Sequence, residues 1–349
     1  MGKSEFLGEL QRLLAALPEE EQTDILADLD EYFEEGAREG KDEREISSSL
    51  GSPEEIAKDI LSAYPEYTET GSRPAEMDSR YEVIRLQDSR FNGVFAEIAA
   101  GELKLVSSED EVTRIELIGD RSGLHFDAEV KEDRLVIVLK GDRSLTSWFR
   151  RAVTRPFRTV VHLPKRMYDE IRIRSENGTV SSEQTLARTF FSDSGNGRIR
   201  VRECAFRNLT ARTDNGRIEI SKAESETISC KTDNGRIELA NVRAGRTTAE
   251  TDNGRITLSD VEGDLSAETD NGRIELNAVH IDRNIHLKTD NGSITVQTKK
   301  LPEDAHIQVR SSTGKPDIFG NPGPEKAYGS GTHTVRLESD NGKIALRKI

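Results

Sequence analysis

One phrase, Thr-Asp-Asn-Gly-Arg-Ile, recurs through the second half of the chain and limits its fold more than any other feature. It fills 213–218, 232–237, 251–256 and 269–274, and returns as Thr289-Asp290-Asn291-Gly292-Ser293-Ile294. Counted from Gly178 through Gly197, Gly216, Gly235, Gly254, Gly272 and Gly292, the steps are 19, 19, 19, 19, 18 and 20 residues. A period of that length marks a chain of stacked units, each completing one circuit of a solenoid.

Aligning the repeats gives columns. One set runs Leu209, Ile228, Thr247, Leu265, Ile285, a second Ala211, Cys230, Ala249, Ala267, Leu287, and a third is the threonines 213, 232, 251, 269 and 289. Beyond the turn come Ile218, Ile237, Ile256, Ile274, Ile294, then Ile220, Leu239, Leu258, Leu276, Val296, and last Ala223, Val242, Val261, Val279. Charged and small polar residues alternate with these, so each short strand has one buried and one wet face. Asn-Gly between alternating strands is also a hairpin signal. A flat meander would need a second layer over its apolar face, and no such layer is present in the sequence. The reading is therefore a mainly β chain, a single-stranded parallel β-helix of ~19-residue coils, whose closure hides that face.

The corners form a structural turn ladder: Asp214-Asn215-Gly216, Asp233-Asn234-Gly235, Asp252-Asn253-Gly254, Asp270-Asn271-Gly272 and Asp290-Asn291-Gly292. The expectation is that Gly takes a positive φ, that Asn tolerates it, and that Asp accepts hydrogen bonds from its own turn. The stacked aspartates repel, and the arginines 217, 236, 255 and 273 three residues on are expected to offset them.

Residues 1–64 read as a small all-α bundle of four short helices. Phe6, Leu7, Leu10, Leu13, Leu14 and Leu17 make an apolar stripe at helical spacing, and Pro18 opens the next helix at its favoured position. Ile25, Leu26, Leu29, Tyr32 and Phe33 continue the pattern until Gly40, and Ser52-Pro53-Glu54-Glu55 reads as a capping box. Between Glu19 and Glu45 stand thirteen acidic and three basic residues. This acidic face suits solvent or a basic partner. Residues 65–80, polar with two prolines, read as a flexible linker. The β-helix then spans 81–349: irregular coils with hairpin insertions to 170, regular repeats over 171–300, and an irregular span with a C-terminal cap around Asp340–Ile344 over 301–349.

Charge singles out one insertion. From Lys140 to Arg166 there are eight basic residues against the one acid Asp142, in a chain whose net charge is −14. It holds the sole tryptophan, in Ser147-Trp148-Phe149-Arg150-Arg151. Trp148, Phe149, Arg150, Arg151, Arg155 and Arg158 are the candidate contact set for an anionic membrane, where each basic residue contributes ~1 kcal/mol, or for an acidic protein surface.

Other chemistry is sparse. The acidic balance disfavours nucleic acid as partner. Histidines 125, 162, 280, 286, 306 and 333 show no ligand spacing, the single glycine per repeat departs from calcium-binding β-helix repeats, and no nucleophile elbow, P-loop or Cys-x-x-Cys occurs. Cys204 and Cys230 fall on inward positions and read as small buried side chains. No catalytic residue, cofactor or metal is expected, and the regularity of the Asp and Arg columns argues against a catalytic cleft. A carbohydrate-active or carbohydrate-binding β-helix is the alternative. The N-terminus has no apolar signal region and no window reaches the ~18 apolar residues of a membrane span, so the expected location is cytoplasmic, peripheral at the inner membrane face.

Two resemblances follow from these residues. Leu17-Pro18, the acidic helix, Gly40, Leu50-Gly51-Ser52-Pro53 and Ile56-Ala57 resemble the small helical signalling domain of bacterial proteins often encoded beside helix-turn-helix regulators. From about Phe91 onward the Asn-Gly repeats resemble the bacterial putative-adhesin or toast-rack family, which implies a right-handed β-helix. The order of helical domain and solenoid is similar to a Bacillus-type protein of that family. It implies a non-enzymatic scaffold or sensor beside membrane envelope-stress proteins of the phage-shock type, with protein partners. Apart from the resemblance, open β-helix ends expose unpaired strand edges unless capped, which makes self-association a further possibility.

Overall fold

The computed structural model describes residues 1–17, 42–54, 81–86, 90–119, 124–141, 157–312 and 316–349, together with 22, 25, 26, 29, 30, 33, 56, 57 and 61. The chain divides into two compact units, residues 1–81 with 118–123 and 142–157, and residues 82–117 with 124–141 and 158–349.

In the first unit, α1 (Lys3–Leu13) and α2 (Glu43–Leu50) are described helices. Their apolar stripes meet in a core of Phe6, Leu10, Leu14, Leu17, Leu29, Phe33, Ile46, Leu50, Ile56 and Ala57. Phe6 meets Phe33 edge-on at 5.6 Å, a favoured ring geometry. The capping box stands on α2, where the Asp42 side chain accepts from the Arg44 and Glu45 amides and Glu45 returns a bond to the Asp42 amide. At the site read from sequence, the Ile56 N–H donates to the Ser52 carbonyl, while Glu55 lies outside the described residues, as do Pro18, Gly40 and the 65–80 linker.

The second unit is the solenoid. Its regular coils are carried by β7 (Met167–Glu183), β8 (Leu186–Asn196), β9 (Ile199–Arg202), β10 (Ala205–Asn215), β11 (Ile218–Asn234), β12 (Ile237–Asn253), β13 (Ile256–Asn271), β14 (Ile274–Ala278), β15 (Ile285–Asn291) and β16 (Ile294–Thr298). Neighbouring coils pair parallel and in column: Leu209 beside Ile228, Ile228 beside Thr247, Ile218 beside Ile237. Ile218, Ile237, Ile256, Ile274 and Ile294 are all fully buried. The one-residue shortening after Gly254 is absorbed between Arg243 and Arg246, where Gly263 adopts φ +88° and a Cβ would lie 1.8 Å from the Ala244 carbonyl oxygen.

The corners work differently from the expectation. The repeat glycines are not among the positive-φ residues, and neither are the asparagines before them. Glycine is required there by proximity instead. A Cβ on Gly235 would lie 1.8 Å from the Gly216 carbonyl oxygen, and one on Gly254 1.6 Å from that of Gly235. The left-handed backbone is made at a second corner, by Gln184, Glu203, Lys222, Asn241 and Asp260, with φ between 51° and 55°. That corner lets residues three apart, such as Ile220 and Ala223, both face inward.

The corner's absence explains the one departure among the columns. In the coil after Gly272 its position falls on Ala278, which is not among the positive-φ residues. The strand runs on straight, so Ala278 is buried at 5 % exposure and Val279, expected inside, is 39 % exposed. Ile281 fills the vacated interior.

Both ends are built out of chain order. At the start, β2 (Gly93–Ser108) lies between β7 on one side and β5 (Arg134–Gly141) with β6 (Arg158–Pro164) on the other. β4 (Leu124–Lys131) pairs antiparallel to β5 through a two-residue turn, Glu132-Asp133, both at positive φ. The remaining strands here are β1 (Tyr81–Leu86) and β3 (Thr113–Ile118), which pair with each other. At the far end the chain forms β17 (Ala305–Ser311), β18 (Asp317–Ile318), β19 (Asn321–Pro322) and β20 (Glu325–Tyr328), then returns as β21 (His333–Asn341) and β22 (Ile344–Lys348). β21 pairs with both β15 and β17, and β22 with both β16 and β18. The coil around Asp340–Ile344, expected to be the cap, is thus an inner coil. The cap is the irregular span before it, where β20 closes the edge of β17 antiparallel and Val309 N–H donates to the Pro324 carbonyl.

Candidate functional site

Trp148, Phe149, Arg150, Arg151 and Arg155 lie outside the described residues. The margins of the basic stretch are described and largely engaged. Arg158, on β6, donates to Glu102 of the next coil at 2.6 Å, and Lys165 pairs with Glu109 at 3.0 Å. Arg166 stacks 5.2 Å from the ring centres of both Phe91 and Tyr168 and donates to the Phe91 carbonyl. Three of the eight basic residues therefore serve the solenoid.

The turn ladder is a hydrogen-bonded spine. Each asparagine side-chain amide donates to the asparagine one coil back: Asn196 to Asn177, Asn215 to Asn196, Asn234 to Asn215, Asn253 to Asn234, Asn271 to Asn253, Asn291 to Asn271 and Asn341 to Asn291, all between 2.8 and 3.0 Å. The buried threonines form a second spine, each hydroxyl donating to the repeat glycine carbonyl one coil back, from Thr213 to Gly197 through Thr289 to Gly272. The arginine column also meets glutamates. Arg217, Arg236 and Arg273 pair with Glu219, Glu238 and Glu275 two residues on.

Glutamates and arginines also bridge coils, as in Glu224–Arg243–Glu262 and Arg200–Glu219. Glu203 is held at about 2, well below the usual carboxylate value, by the Gln184 amide and then the Lys222 ammonium. Burial acts to raise Glu219, but the bonds from Arg200 and Arg217 keep it low. Such carboxylates are held as anions at every physiological pH and lack the raised pKa of a general acid. His286 lies between Glu338 and Glu268, 3.2 and 3.7 Å away, and among the described residues no three His, Cys, Asp or Glu gather as a metal site. Both thiols are buried, and burial pushes Cys230 up to about 12.

The break after Gly272 holds residues the repeat pattern does not reveal. Arg283 is buried and donates to the Val261 and His280 carbonyls, supplying donors where the corner strand is missing. Asp282 accepts from the Glu303 and Asp304 amides, and Asp304 in turn accepts from Thr332 and Ser330, pinning the cap. Thr332 and Ser330 hold Asp304 well below the usual range. Their only sequence signal was that charges cluster where the period falters. Among the described residues no helix is long and apolar enough to cross a membrane.

Comparison with known protein families agrees with this architecture. Residues 97–347 match the sequence model described as Toastrack DUF4097, and residues 5–59 match that of HAAS. No curated protein matches the chain. Among solved structures, a putative adhesin from Parabacteroides distasonis ATCC 8503 is 16 % identical with a TM-score of 0.49, over 78 % of this chain and 98 % of its own. A putative adhesin from Bacteroides fragilis NCTC 9343 is 15 % identical with a TM-score of 0.40, over 78 % and 99 %. A putative lipid binding protein from Parabacteroides distasonis ATCC 8503 is 12 % identical with a TM-score of 0.45, over 78 % and 98 %. With 97–347 of 349 residues matched and the coil-by-coil register as its physical counterpart, the chain belongs to the Toastrack DUF4097 family.

Proposed function

We propose that the protein is a non-enzymatic scaffold or sensor in a bacterial envelope-stress pathway of the phage-shock kind. In this reading it binds protein partners and touches the anionic inner face of the membrane through Trp148, Phe149, Arg150, Arg151 and Arg155. The observation that carries it is the joining in one chain of a HAAS segment and a Toastrack solenoid. The direction of the shifted carboxylates supports the non-enzymatic part: Glu203, Glu219, Asp304 and Glu338 all sit below the ordinary range. The basic stretch supports the membrane part, since an aromatic pair flanked by arginines suits the headgroup layer of an anionic membrane.

Flotation with phosphatidylglycerol vesicles tests the membrane contact. The wild type should float and a Trp148→Ala, Arg150→Glu, Arg151→Glu variant should not. Equal flotation removes the membrane from the proposal. In situ cross-linking and affinity capture from bacteria, unstressed against envelope-stressed, tests the pathway. Membrane stress proteins should be enriched in the stressed sample, and an unchanged capture set would count against it.

A further inference from the structure

The outward face of the first coils carries a cleft that neither the repeat nor the basic insertion accounts for. Gly93 of β2 lies in register between Arg134 of β5 and Glu170 of β7. One outward position along stand Phe95 and Arg172, and after them comes Arg174. Because position 93 has no side chain, Arg134 lies across it, and a Cβ there would be 3.0 Å from the Arg134 Cγ. The result is a cleft of about 350 Å³ lined by Gly93, Phe95, Arg134, Glu170, Arg172 and Arg174.

Three guanidinium groups share this cleft with one carboxylate. Arg172 holds Glu170 through two bonds of 3.0 and 2.9 Å and lies over the Phe191 ring at 4.9 Å, so it is fixed in place. Arg134 stands 4.0 Å from the other Glu170 oxygen and is 62 % exposed, free to turn toward a ligand. Arg174 lies in register between Glu97 and Asp193, yet its guanidinium makes no ion pair or hydrogen bond among the described residues. Three guanidinium groups thus face one small area of the surface of a chain whose net charge is −14, with Glu97 and Asp193 flanking Arg174. Elsewhere on the solenoid some arginines bridge glutamates of neighbouring coils, as in Glu224–Arg243–Glu262.

We propose that this cleft binds an oxyanion, a phosphate or carboxylate, carried on a small apolar or ring-shaped body. The planar guanidinium fork matches two oxygens of such a group, and a fork already fixed by Glu170 and Phe191 loses little freedom on binding. Half-buried Phe95 supplies an apolar wall for the body that carries the anion.

Titration calorimetry of the full chain with phenyl phosphate, benzoate and inorganic phosphate tests this. Saturable binding is expected, with phenyl phosphate tighter than inorganic phosphate because of Phe95. Arg174→Ala should weaken phenyl phosphate by roughly tenfold, the worth of one charge-assisted hydrogen bond. Arg212→Ala, an exposed outward arginine of β10 away from the cleft, should leave it unchanged, and both variants should melt like wild type. Competition by phosphatidylglycerol vesicles in wild type but not in Arg174→Ala would support a lipid headgroup as source, and saturable binding without competition a soluble anion. No saturable binding overturns the proposal. So does an equal loss in Arg174→Ala and Arg212→Ala, which would mark a diffuse field rather than a site.

Discussion

The regular coils and the C-terminal end of the solenoid use the same parallel ladder but are secured in opposite ways. In the middle, each coil from Leu186 to Asn271 touches the coils before and after it in sequence, and two side-chain spines of asparagine and threonine repeat the backbone's own register. At the end, the last coil in sequence is buried between β15–β16 and β17–β18, with a covered hairpin outside it. A stack whose neighbours are all sequential frays from its termini, because the terminal coil has one partner. Placing the chain terminus inside gives it two. The middle is therefore stable by repetition and the end by interleaving.

Removing the interleaved coil should break this comparison most strongly. Deleting residues 333–349 strips out buried Val335, Leu337, Ile344 and Leu346, a loss of about 8 kcal/mol at ~2 kcal/mol per side chain. Hydrogen exchange should show lost protection in both β15 and β17. Protection retained in β15 would mean the inner position adds nothing.

Glycine substitution separates the two regions next. Gly254→Ala puts a Cβ 1.6 Å from a backbone oxygen that cannot yield without moving a coil, so a loss of ~3 kcal/mol or more is expected in chemical denaturation. Gly320→Ala in the cap has φ +79° but open space around it, and should cost only ~1 kcal/mol. Similar losses would refute the assignment of the repeat glycines to close approach.

Thr251→Val keeps the shape and removes the bond to Gly235, leaving its carbonyl without that donor, at a cost of ~1 kcal/mol by the same measurement. No loss would make the threonine spine incidental.

The smallest effect is acid sensitivity confined to the cap. Asp304 is depressed in the folded state, so its contribution is fully present above the ordinary carboxylate range and is lost as pH falls toward the folded value. Amide exchange of Ser330–Thr332 should therefore accelerate below about pH 4, while the 218–258 coils keep their protection. Asp304→Asn should abolish the pH dependence, and a uniform acid response would contradict a locally pinned cap.

Much of this was legible from spacing. The period, the buried Ile and Leu columns, the inward threonines and the buried cysteines are all properties of residues at fixed separation. In a coil stack such residues must superpose. Roles at the corner were not legible in the same way. Asn-Gly suggests positive φ because that is its habit in isolated turns. Here the neighbouring coil imposes a tighter limit, and the left-handed residues are Lys222, Asn241 and Asp260, a column with no common chemistry. Val279 followed the column by number and missed the interior because Ala278 does not make the corner. The Arg134–Arg172–Arg174 cleft left no motif at all, since it joins β5 and β7 across a glycine of β2.

The sequence by itself determined the coil: its length, its inward set and the residues at which consecutive coils align. Those follow from local periodicity, which any stacked neighbour enforces alike. Only the tertiary structure decided which coil neighbours which at the ends, why the repeat glycine tolerates no side chain, and which charges meet. Each of these depends on backbone and side chains brought together from distant or out-of-order parts of the chain. Contacts between Gly292 and Gly342, or between Gly93 and Arg134, have no separation in sequence that a pattern can announce.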